Sequence, residues 1–151
     1  MITRRDFIVA VVAIFMTATV ISSARFAGKS ALRSSVFHWG EMKVEQTAVG
    51  ERRAVFDAPT TNLTRFECHI TTLNPGEMPH GAHRHGHEEL MIIKEGTLEA
   101  MQDGVTHRVE AGGIILEGSN DLHSLRNVGT NRATYFVLAW YPHDLVETAT
   151  K

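Results

Sequence analysis

The sequence predicts an all-β domain, a sandwich or a closed barrel, on three observations. Short β-type runs recur from residue 41 onward, turn residues punctuate them at close spacing, and only the N-terminal segment sustains any helical periodicity. Glu51 to Asp57 ends at Ala58-Pro59, and Leu63 to Leu73 alternates until Asn74-Pro75-Gly76. Glu89 to Ile93 ends at Glu95-Gly96, and Thr97 to Met101 at Asp103-Gly104, a pair that favours a two-residue hairpin. Val105 to Val109 ends at Gly112-Gly113, Ile114 to Leu116 at Gly118-Ser119-Asn120, and Leu122 to Arg126 at Asn127-Val128-Gly129. The last run, Ala133 to Tyr141, is closed by Pro142. Met91, Ile93, Phe136 and Leu138 are the residues expected to fill or line the interior.

A chain of 151 residues has room for one domain with a core. Its 43% hydrophobic and 21% charged residues are ordinary for a globular protein. A net charge of −2, with no run of Lys and Arg, argues against a nucleic-acid partner. The single cysteine excludes an intramolecular disulfide. Cys68 shares a strand face with Phe66 and Ile70 and reads as a buried, inert thiol.

The N-terminus reads as an address rather than as fold. Arg4-Arg5-Asp6-Phe7 leads into an apolar run from Phe7 to Ile21, short of the roughly 20 residues that span a bilayer. Ser22-Ser23-Ala24 supplies small residues for cleavage. Residues 1–24 therefore read as a signal peptide resembling the twin-arginine type, which exports folded proteins to the periplasm or beyond. An uncleaved membrane anchor is the alternative. The mature chain divides into an arm over 25–50, docking through Phe37 and Trp39, a barrel over 51–142 and a tail over 143–151. Beyond the signal segment no membrane contact is expected.

Four of the nine histidines, His80, His83, His85 and His87, lie within eight residues and beside Glu88-Glu89. Imidazoles with a carboxylate are the donors of a transition-metal site. His83 and His85, two apart, share a face of an extended strand. Glu89 can project inward from the apolar strand it opens, and His123 can close the cluster from another strand. Three imidazoles and one carboxylate leave two positions open on a six-coordinate metal. His80 and His87 could replace one of these ligands, or hydrogen-bond to ligands or substrate. His38, His69, His107 and His143 have no partner at metal spacing and read as surface or core residues. Arg126 reads as a surface residue and Asn127 as a tie within a turn.

The spacing of these residues resembles that of the cupins. In the first stretch Gly76 is followed by six residues, His83-Arg84-His85, three residues, Glu89, six residues and Gly96. In the second, Gly112 is followed by five residues, Gly118-Ser119-Asn120, two residues, His123, three residues and Asn127. Gly76 stands one residue further from the histidines than the family pattern, and Gly118 and Asn120 replace its Pro and Gly. The resemblance, covering residues 60–140, implies a jelly-roll-like cupin barrel of two antiparallel sheets. It implies His83, His85, Glu89 and His123 as ligands of a divalent transition metal: Fe, Mn or Ni, with Zn or Cu also compatible. It also implies a homodimer and a small-molecule substrate.

Two functions follow as expectations. One is a metal-dependent enzyme of dioxygenase or isomerase/lyase type, with Glu89 and His80 as candidates for moving protons. The other is a non-catalytic module that binds a small molecule or metal.

Overall fold

The computed structural model describes residues 30–143. The expected signal peptide, residues 25–29 of the arm and residues 144–151 of the tail lie outside the described residues. The described residues form nine strands: β1 (Val44–Thr47), β2 (Gly50–Ala58), β3 (Arg65–Leu73), β4 (Glu88–Glu95), β5 (Thr97–Gln102), β6 (Val105–Glu110), β7 (Ile114–Glu117), β8 (His123–Asn127) and β9 (Ala133–Tyr141). They build two antiparallel sheets, a six-stranded one in the order β1-β2-β3-β9-β4-β7 and a three-stranded one in the order β6-β5-β8. No helix among the described residues is long and apolar enough to cross a membrane.

Local chemistry sets the turns. Asp103 and Gly104 adopt φ of 46° and 86°, and Gln102 pairs with Val105 across them. Two left-handed residues in succession are what a tight hairpin needs to match strand twist. β1 falls inside the stretch assigned to the arm: its side chains are all exposed, and it is held by pairing with β2, Thr47 opposite Gly50. Phe37 packs on Phe56 at 5.6 Å and Trp39 on Phe136 at 6.5 Å, with the Arg53 guanidinium and the Lys94 ammonium over the indole.

The core lies between the sheets and is built from Leu73, Met91, Ile93, Leu98, Ile115, Leu125, Tyr135 and Val137, with Ala100 and Ala133 between them. Met91 and Ile93 face inward as expected, but Phe136 and Leu138 do not. Tyr135, Val137 and Ala139 take the inner face of β9, while Phe136 and Leu138 share the outer face with Ile70 and Cys68 of β3. The expectation failed because β9 is apolar on both faces, so its alternation carries no parity signal. Cys68 is buried as expected, and burial pushes its thiol up to about 11. It is therefore protonated at neutral pH.

Candidate metal centre

The two stretches that carry the histidines are stitched together by backbone hydrogen bonds. His83 and His123 exchange N–H···O bonds of 3.1 and 3.0 Å, adding an isolated bridge beside β8. The Asn120 amide donates to the His85 carbonyl at 2.7 Å, and the Ser119 hydroxyl to the Gly86 carbonyl at 2.7 Å. The Gly118–Asn120 turn thus grips the His83–Gly86 segment and fixes where its imidazoles point.

His83, His85 and His123 converge. Their ring centroids lie 4.5 Å (83 to 123), 4.6 Å (85 to 123) and 5.3 Å (83 to 85) apart. One nitrogen from each falls within 4.8 Å of the others. His85 Nδ1 meets the His87 carbonyl at 2.8 Å and His123 Nδ1 the Asp121 carbonyl at 2.9 Å. A carbonyl only accepts, so each Nδ1 carries the proton and each Nε2 presents a lone pair. His85 Nε2, His123 Nε2 and His83 Nδ1 are buried without a hydrogen-bond partner. Burial, together with the neighbouring imidazoles, pushes His83 down to about 4, and burial lowers His85 as well. Neutral imidazole is the ligating form.

Glu89 sits beside this group rather than inside it. Its Oε2 is 3.9 Å from His85 Nε2, and its Oε1 accepts from His87 Nε2 at 3.2 Å. His85, His87 and Glu89 form a second set of donor atoms within 4.8 Å. His87 is clamped in place, stacked on His85 at 3.7 Å and on Tyr141 at 4.2 Å. His80 is exposed, its ring 4.2 Å from that of His83, at the lining of a cavity of about 260 Å³. Arg126 is exposed, and Asn127 is fully buried, its amide donating to the carbonyls of Leu73 and Asn131.

The same cavity is lined by Glu117, Arg52 and Tyr135, which the sequence did not single out, and by His69, which it read as a surface or core residue. Their inward direction comes from strand pairing. Glu117 stands opposite Glu89, Glu89 opposite Ala139, Ala139 opposite Glu67 and Glu67 opposite Asp57. One cross-strand row therefore carries two pairs of facing carboxylates, which repel unless a cation lies between them. Arg65 bridges Glu67 and Asp57, at 2.5 and 2.8 Å. Glu89 and Glu117 are met only by imidazoles and by Gln102 among the described residues. Glu117 is 1% exposed and its Oε1 has no partner. Three imidazoles with nitrogens within 4.8 Å of one another, beside an unneutralised pair of carboxylates, fit a divalent transition metal.

Residues 69–141 match the family model described as a cupin domain. The barrel has the cupin fold. Its likeness to solved structures agrees. An RmlC-like cupin from Shewanella frigidimarina is 14% identical with a TM-score of 0.60, covering 74% of this chain and 95% of that one. A predicted oxalate decarboxylase from Thermotoga maritima is 20% identical with a TM-score of 0.57, covering 71% and 99%. The polyketide cyclase RemF from Streptomyces resistomycificus is 17% identical with a TM-score of 0.60, covering 79% and 88%. At such identities the likeness shows the cupin fold, not a shared reaction. No curated protein matches the chain. The domain match and these neighbours together support the cupin superfamily.

Proposed function

We propose that this cupin is an exported protein that holds one divalent transition metal through His83, His85, His123 and Glu89 and acts on a small organic molecule bound beside it. The observation that carries the reading is the convergence of three buried, unpartnered imidazole nitrogens next to the Glu89–Glu117 pair. When bound, such a metal acts as a Lewis acid toward a ligand oxygen or, if redox-active, serves oxygen chemistry. The chain's own residues do the rest. Asp121 and His87 hold His123 and His85 in the ligating tautomer through their carbonyls. His87 steadies Glu89, while Met91, Leu125 and Val137 keep much of the cavity wall apolar. His80, exposed beside His83, is the better placed of the two candidates for passing a proton between a bound molecule and solvent, because Glu89 Oε1 is engaged by His87.

Export rests on Arg4-Arg5 and the Phe7 to Ile21 run. A homodimer is supported by β7, an edge strand whose Ile114 and Leu116 are 63% and 56% exposed and adjoin Ile92, 38% exposed, on β4. An unpaired apolar edge is a template for a second copy.

Metal content per chain, measured on untagged protein matured through its own export route, tests the central claim. About one Fe, Mn or Ni per chain is expected, lost in His123→Ala and kept in His143→Ala. Equal losses in both variants would misplace the site. Absent metal in the parent protein would leave a non-catalytic binding barrel as the better reading.

A further inference from the structure

Of the three converging histidines, His123 lines the cavity, with His80 and Glu89 beside it. Across the lumen, Arg52 of β2 is the one Lys or Arg among the residues that line it. Arg52 pairs in register with Thr71, four residues along β3 from Glu67, yet its Nη2 donates to Glu67 Oε1 at 2.7 Å. The side chain therefore runs back along the lumen face, past His69, to the level of the Glu89 row.

Its anchor is shared. Glu67 also accepts from Arg65 Nη2 at 2.5 Å and contacts His69 Nδ1 at 3.1 Å. Arg52 thus commits one of its five N–H donors, and no other partner for its guanidinium is found among the described residues. A guanidinium with a free edge matches the planar geometry of a carboxylate.

Charge and distance agree. The charged lining consists of Glu89, Glu117 and Arg52 beside histidines, so a divalent cation at the cluster balances the two carboxylates and leaves Arg52, which shares Glu67 with Arg65, as the cation on the far wall. β2 and β4 are three strand spacings apart, about 14 Å along the sheet, and side chains from both walls shorten that gap to roughly the length of a molecule of a few carbons. Between the two ends the lining includes Met91, Tyr135 and Val137, which suit a short apolar body.

We propose that the cavity takes a small organic acid and that Arg52 selects it, pairing with its carboxylate while the other end of the molecule lies at the histidine cluster. This rests on the metal reading of that cluster. The test uses the full exported protein, metal-free and loaded with Mn²⁺, whose uptake is read first by electron paramagnetic resonance. Calorimetric titrations then compare 2-oxobutyrate with its neutral amide. The loaded protein is expected to bind the acid at least about tenfold more tightly than the amide. Arg52→Met is expected to erase that preference without changing Mn²⁺ uptake, and Arg52→Lys to restore part of it. Equal binding of acid and amide, no binding of either, or a preference that survives in Arg52→Met would overturn the proposal. Failure to take up Mn²⁺ sinks the metal reading by itself, and Arg52 is then judged by the same acid-to-amide comparison on metal-free protein.

Discussion

Glu89 and Glu117 face each other across β4 and β7, yet their surroundings shift the two carboxyls in opposite directions. Burial pushes both upward. At Glu89 the hydrogen bond from His87 and the nearby His85 outweigh that push and leave it lowered. At Glu117 burial prevails over His123 and Gln102, and the carboxyl is raised. Glu89 is therefore the more acidic carboxyl of the pair. The imidazoles carry a pH prediction. An ordinary histidine titrates near 6.5, and a site built from such groups would lose metal affinity as pH fell through 6–6.5. A lowered value means that the folded protein keeps the ring neutral where a free imidazole would already be charged. With His83 at about 4 and His85 lowered, proton competition at these two ligands sets in below 6.5. Apparent Mn²⁺ affinity, measured against a competing chelator, should hold nearly level from pH 7.5 to 6.5 and fall steeply toward pH 4. A tenfold fall per pH unit already between 7.5 and 6.5 would contradict this.

Strand existence was legible in the sequence wherever turn chemistry marked both ends, as at Asp103-Gly104 between β5 and β6. Strand facing was legible only where alternation was one-sided. On β9 the run from Ala133 to Tyr141 offers apolar side chains to both faces, so pairing with β3 and β4 decided which of them entered the core. β1 escaped notice because its four exposed residues form no apolar pattern, and only hydrogen bonds to β2 make it a strand. Asn127 shows an element boundary fixed by a side chain. Its amide donates to the carbonyls of Leu73 and Asn131, and its carbonyl accepts from the Gly129 amide. Asn127→Ala strands these buried groups and is expected to destabilise the barrel by about 1–3 kcal/mol, read as a lower urea midpoint with an unchanged slope. An unchanged midpoint would show that water satisfies the turn.

At the scale of the molecule, the outer face of the large sheet is apolar in two places and covered in one. Phe37 and Trp39 lie over Phe56 and Phe136, while Ile92, Ile114 and Leu116 remain exposed. If a second copy covers that strip, light scattering should give a dimer mass for the parent protein and a monomer mass for Leu116→Lys, with the metal site intact in both. A monomeric parent would leave the strip without this role. The sequence by itself determined the β class, the turns, the histidine spacings and the candidate ligands His83, His85, Glu89 and His123, because each is written in contacts between residues a few positions apart or in a family pattern. Only the tertiary structure decided that Glu117, Arg52, His69 and Tyr135 share the cavity, that His87 steadies Glu89, and which face of β9 looks inward. Those facts depend on which strands lie side by side, and that arrangement follows from burial summed over the whole barrel rather than from any short stretch of chain.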